Sequence, residues 1–390
     1  MKLVKALLLS NTFNRFFESE KSSGIVLVLC TVVSILIANS TLGADYLSIW
    51  HATFLGLSIE HWVNDGLMAI FFLMIGLELE REIYIGELSS IKNALLPICA
   101  AIGGMAMPAL LHLTMNYGTP TQEGLGIPMA TDIAFALGIL AMLGSRIPAS
   151  LKVFVVAFAV MDDLGAIVII ATFYTAKISI SYLLGAFLVW VLLIVLNRVF
   201  RVMAVLPYII GGLLMWFLML KSGVHATVAG ILLAFAIPFS AKDDDQTSPS
   251  YRLENWLHRP VAFIILPIFA LANTGIIFEP NWLQGLLSIN SAGIALGLFV
   301  GKPVGVLTFC YLAVILGICN LPSDLKWQHI AGAGMLGGIG FTMSIFITNL
   351  AFANDLAMIN ASKIAVLLAS MSAGIIGYLW LHFVSAKDGK

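Results

Sequence analysis

Twelve stretches of this chain are apolar and of roughly membrane-crossing length, which for a helix means about 20 residues. They run at about 22–39, 59–80, 95–116, 124–144, 151–176, 182–197, 204–219, 223–239, 260–279, 291–317, 328–351 and 359–384. The sixth to eighth are short, and His61, Asn64 and Asp65 interrupt the start of the second. Composition agrees with this pattern. Of 390 residues, 60% are hydrophobic and 11% charged, where a soluble domain carries about 25% charged residues. A water-soluble globule is excluded. Net charge is −1, so no basic field exists for nucleic acid. Cys30, Cys99, Cys310 and Cys319 sit in apolar runs without a C-x-x-C pair and read as packing residues, not as a disulfide framework or zinc site. The predicted fold class is an all-α polytopic membrane protein with about twelve transmembrane helices.

The N-terminus does not read as a cleavable signal. Lys2 and Lys5 precede a very short apolar patch, Ala6 to Leu9, which Arg15, Glu18, Glu20 and Lys21 soon end. Residues 1–21 read as a cytoplasmic segment, partly an amphipathic helix, before a 22–384 bundle and a 385–390 tail. The whole chain, 1–390, forms one membrane domain. Residues 45–58 are β-prone and predict a small hairpin. Trp50, Trp62, Trp256, Trp282 and Trp327 fall at span ends, where interfacial indoles belong. Sixteen of the 20 Lys and Arg lie in the termini and alternate loops of one side, against Lys177 and Lys221 on the other. By the positive-inside rule both termini are cytoplasmic.

Asp132, Asp162, Asp163 and Lys302 lie well inside apolar runs. Each costs about 2.5–3.5 kcal/mol at a helix centre, and ionisable residues there mark ion or proton pathways. One lysine cannot neutralise three aspartates, so mutual pairing alone does not explain them. Asp162 and Asp163 are adjacent and about 100° apart on a helix, so one can face Lys302 while the other faces a cavity. Repulsion between close carboxylates keeps one of them easily protonated, and hard oxygens suit small hard cations. Pro128, before Thr131 and Asp132, disturbs span four. The run Gly337-Gly338-Ile339-Gly340 does the same in span eleven. These breaks read either as discontinuous helices lining a site or as close packing by small residues. Glycines 293, 297, 301 and 305 recur every four residues beside Lys302, which predicts a flat face and a buried lysine. That lysine is an ion-pair anchor or a proton carrier.

Five segments carry a family resemblance: Ala130-Thr131-Asp132-Ile133-Ala134-Phe135, Asp162-Asp163, Ser222-Gly223-Val224-His225-Ala226-Thr227, Gly301-Lys302-Pro303 and Gly338-Ile339-Gly340-Phe341-Thr342-Met343-Ser344. Together they resemble the NhaA family of bacterial sodium/proton antiporters, along essentially the whole chain. The resemblance implies inverted repeats over spans three to five and ten to twelve, with spans four and eleven broken and crossed. It implies that Asp163 and Asp162 bind Na⁺ or Li⁺ and protons with Thr131 nearby. Asp132 would balance the positive half-helix ends and Lys302 the negative ones, Lys302 also pairing Asp162. It places pH sensing at Glu78, Arg81, Glu82 and Glu254, with a modulatory His225. From spacing alone, Glu78 and Arg81 read as an i,i+3 helix pair. Position 255 is Asn where the family expects His, so a histidine role does not transfer. Asp65 matches a family position that pairs locally, and Asp243-Asp244-Asp245 reads as a solvated loop.

The function expected is electrogenic, pH-regulated Na⁺/H⁺ antiport in a bacterial inner membrane. It needs no cofactor, and its partners are the ions, the bilayer and a second copy docked through the 45–58 hairpin edge. No G-x4-G-K-[ST] sequence is present to bind a nucleotide. An intramembrane aspartyl protease needs its two carboxylates on two helices around one water, which the adjacent pair fits badly. A channel needs open rings or filters.

Overall fold

A backbone surrounded by hydrocarbon must satisfy its own polar groups, and this sequence does so with helices. The computed structural model describes residues 11–174, 178–240, 247–278, 280, 282–353 and 355–388. Asp243-Asp244-Asp245 and Lys177 lie outside the described residues.

Helix α1 (Asn11–Ala38) is followed by α2 (Gly43–His51). Strands β1 (Thr53–Phe54) and β2 (Leu57–Ser58) pair antiparallel around Leu55 and Gly56, both at positive φ. The hairpin predicted over 45–58 is therefore corrected to two residues per strand. Tyr46 and Trp50, four apart, meet edge-on at 5.9 Å, the i,i+4 contact that favours helix over strand there. Helix α3 (Ile59–Tyr84) carries a π-helical turn at Trp62–Leu67. Then come α4 (Ile91–Asn116), a 3-10 arm (Pro120–Met129), α5 (Ile133–Leu143) and α6 (Ala149–Phe173). Next are α7 (Ile180–Arg198), α8 (Leu206–Ser222), the short α9 (Val228–Ala234) and α10 (Pro249–Asn273). The last are α11 (Ile289–Ile315), α12 (Trp327–Gly337), α13 (Phe341–Ala351) and α14 (Leu356–Asp388).

Among the described residues, eight helices are long and apolar enough to cross a membrane alone, and up to ten if each of two bent pairs is one span. The seventh and eighth predicted spans are the shorter α8 and α9. The ninth starts at Pro249 rather than near 260, because Ser248 caps it by accepting from the Tyr251 N–H and Pro249 suits a first turn.

The chain divides into two compact units. One holds residues up to Asn39, Ser90–Ala166 and everything from Ile276. The other holds Ser40–Ser89 and Ile167–Gly275. In the first unit α11 lies close along α4. A Cβ on Gly301 would sit 2.9 Å from Pro108 Cα, and one on Gly305 would run into the Gly103 carbonyl. A four-residue repeat drifts by about 40° per step on an α-helix. The π-helical turn Gly297–Gly301 holds more residues per turn and offsets that drift, so the glycines stay on α4.

Candidate functional site

The two helix breaks lie in the first unit and satisfy each other's backbone. Between the arm and α5, Ala130 is extended at φ −80° and ψ 149°. The Asp132 N–H donates to the Ile339 carbonyl at 2.6 Å, and the Thr131 hydroxyl to the Gly337 carbonyl at 2.8 Å. Ser344 returns the bond, its hydroxyl donating to the Ile127 carbonyl at 2.6 Å. Thus each break supplies donors for carbonyls that the other leaves open. The glycines also pack closely, since a Cβ on Gly338 would run into the Leu298 carbonyl.

Asp132 caps two helices at once. Its Oδ1 accepts from the Phe135 N–H at 3.2 Å, at the start of α5. Its Oδ2 accepts from the Thr342 N–H at 3.1 Å and the Thr342 hydroxyl at 2.6 Å, at the start of α13. A buried carboxylate between two helix N-termini meets the positive ends of both dipoles. Ser370 of α14 completes the α13 cap, its Oγ accepting from the Gly340 and Phe341 N–H groups at 3.1 and 3.2 Å. Ser370→Ala leaves two buried donors unsatisfied, each costing about 1–3 kcal/mol. Denaturant unfolding of the purified variant should therefore show a loss in that range or above, and an unchanged midpoint would contradict the cap.

Helix α6 carries the adjacent aspartates through the same region. Lys302 Nζ donates to both Asp162 oxygens, at 2.6 and 2.8 Å, and both residues are fully buried. The ammonium also lies 5.6 Å from the Phe158 ring centroid, a cation–π contact. Asp163, one residue on, is buried at 1% exposure, and helix geometry turns it from the lysine's partner by about 100°. Asp132, Asp162, Asp163, Thr131 and Lys302 thus gather in one unit.

The remaining candidates occupy the second unit. Arg81 Nη2 pairs with Glu254 Oε1 at 2.8 Å, joining α3 to α10. The spacing had suggested Glu78 in the same helix as its partner. Glu254 of α10 adds a carboxylate from a second helix, where Leu253 and Leu257 are buried on either side of it. Glu78 and Glu82 lie within electrostatic reach of Arg81. His225 Nε2 lies 2.7 Å from the Tyr174 carbonyl, and Asp65 pairs locally with His61 at 2.9 Å. Asn255 is exposed and donates to the Tyr251 carbonyl of its own helix.

Sequence reasoning did not single out Thr342 and Ser370 as caps. Hydroxyls in apolar spans usually bond the carbonyl one turn back, as Thr348 does, so nothing local marks these two. It also passed over Glu80 and Lys363, buried at 3% and 6% exposure.

A many-helix membrane protein with an ion pair and further carboxylates buried where two broken helices meet is, as a class, an ion transporter rather than an enzyme. The comparisons agree. Residues 14–381 match the family described as Na+/H+ antiporter 1. The chain is 67% identical to the Na(+)/H(+) antiporter NhaA of Dechloromonas aromatica, covering 98% of each chain. It is 58% identical to the NhaA antiporter of Cytophaga hutchinsonii, over 95% of this chain and 94% of that one. Identity to the Vibrio alginolyticus NhaA antiporter is 48%, over 98% of this chain and all of that one. The chain belongs to the Na+/H+ antiporter 1 family.

Proposed function

We propose that this protein moves Na⁺ out of a bacterial cytoplasm, across the inner membrane, in exchange for protons. One observation carries the reading: adjacent buried carboxylates, of which Asp162 takes the Lys302 ammonium at 2.6 and 2.8 Å while Asp163 is turned about 100° from it on the same helix. Asp163 is then the group that takes either a cation or a proton, with Asp162 and Thr131 beside it. Li⁺, a smaller hard cation, uses the same oxygens. Transport proceeds by alternating access around the crossing, with Asp132 and Lys302 balancing charge at the broken helices. Exchange is electrogenic, more than one proton returning per Na⁺. The excess of Lys and Arg on one side puts both termini in the cytoplasm. Regulation by pH falls to the Arg81–Glu254 pair with Glu78 and Glu82, and His225 modulates it. A second copy docks through the short hairpin, whose Phe54 and Leu55 are exposed.

Proteoliposomes test this directly. An imposed pH gradient should drive Na⁺ one way while protons move the other. Because H⁺ and Na⁺ compete for one carboxylate, apparent Na⁺ affinity should weaken as pH falls. An affinity independent of pH on both membrane faces would contradict shared-site exchange.

A further inference from the structure

The 3-10 arm that delivers Thr131 is the weakest element at the crossing. It runs ten residues, Pro120–Met129, where 3-10 segments rarely exceed four because their hydrogen bonds are poor. One end is held by the bond from Ser344. The other end is held by a buried polar network that the transport reading does not use.

His112 of α4 is fully buried, and its Nε2 lies 3.1 Å from Asn290 Oδ1 of α11. Asn290 Nδ2 donates to Ser362 Oγ of α14 at 2.8 Å. With Asn290 donating there, its Oδ1 is the acceptor and His112 Nε2 carries the proton. The other ring nitrogen, Nδ1, is buried with no hydrogen-bond partner among the described residues. One turn along α4, Asn116 Nδ2 donates to the His112 carbonyl at 3.0 Å, and Asn116 Oδ1 accepts from the Thr121 hydroxyl of the arm at 2.7 Å. The network therefore joins α4, α11 and α14 to the arm.

Two glycines make room for it. A Cβ on Gly124 of the arm would lie 3.1 Å from Asn290 Oδ1 and 3.2 Å from His112 Cε1. A Cβ on Gly293 of α11 would lie 2.8 Å from Asn116 Nδ2 and 3.0 Å from His112 Cδ2. The arm's backbone thus rests directly on the imidazole. His112 Nδ1 aside, no buried side-chain nitrogen or oxygen of this network lacks a partner among the described residues, and a satisfied buried network fixes one arrangement. An apolar side chain would fill the same space but leave the arm free to slide.

We propose that His112, acting through Asn290 and Ser362, is a positioning residue that fixes the 3-10 arm and with it Thr131 in the cation site. The proposal rests on the antiport reading. Gly124 and Met129 are about 10 Å apart at the 3-10 rise, and Thr131 follows Met129 by two residues. A displacement of about 1 Å in a positioned group costs up to about 100-fold in function.

Na⁺ titration of the purified protein, followed by its fluorescence, and proteoliposome kinetics together test this on His112→Leu and His112→Gln. His112→Leu should raise both the dissociation constant and the KM for Na⁺ by about tenfold, with Vmax held within twofold. His112→Gln, whose amide can donate to Asn290, should recover most of that loss. Where His112→Leu does not fold, Ser362→Ala breaks the next link and should raise KM about threefold. A KM within twofold of the parent in the folded variants, with only the yield of folded protein falling, would overturn the proposal. Parent protein that binds Na⁺ but moves no protons would overturn the antiport reading instead, and the titration would still judge His112.

Discussion

Asp163→Asn should abolish Na⁺-driven proton movement while the protein still inserts and folds. Asp163 is buried at 1% exposure, and its neighbour's carboxylate is taken up by Lys302 at 2.6 and 2.8 Å. The amide keeps the carboxylate's shape and removes both its charge and its proton. Insertion does not suffer, because a neutral amide is cheaper in the bilayer than a charge. Cation binding does suffer. Taking away the partner of a buried charge costs about 3–5 kcal/mol, which is at least about 100-fold in affinity. Proteoliposomes matched for protein content provide the measurement. Normal Na⁺-dependent proton release from Asp163→Asn would remove Asp163 from the mechanism.

What could be read in the sequence was whatever a local pattern carries. Apolar runs of spanning length gave the fold class, and charges inside them pointed to Asp132, Asp162, Asp163 and Lys302. The glycine repeat gave a buried lysine, although the π-helical turn that keeps those glycines on one face left no mark in the spacing. Beyond the Asp162–Lys302 pair, which the resemblance implied, pairings across long sequence separations were not legible. Thr342 reaches Asp132 across 210 residues, and Arg81 finds Glu254 on another helix. Such choices follow from which helices pack together, and no periodicity within one helix encodes that. The α2 error has the opposite cause. Aromatic and branched residues there satisfied a strand pattern, while the Tyr46–Trp50 spacing satisfied a helical one, and the helix won.

Neutralising Asp162 and Lys302 together should be milder for stability than neutralising either alone. Both side chains are fully buried and bonded to each other at 2.6 Å. Either single change, Asp162→Asn or Lys302→Gln, strands a buried charge at a cost of about 3–5 kcal/mol, whereas replacing both partners can be close to neutral. Denaturant unfolding of the two single variants and the double variant should show that order. The Phe158 ring does not offset the stranding in Asp162→Asn, because its cation–π contact with Lys302 is already made in the parent. Transport by the stable double variant then separates two roles for the pair. With Asp163 intact, it should still exchange Na⁺ for protons. If Lys302 or Asp162 carries a proton in each cycle, the double variant loses one transported charge, or about 2.3 kcal/mol of coupling per 100 mV. Exchange should then proceed under a pH gradient but no longer respond to an imposed membrane potential. Full voltage-driven transport in that variant would make the pair a clamp between α6 and α11 and place the second proton on another carboxylate, with Asp132 the next buried one at the crossing.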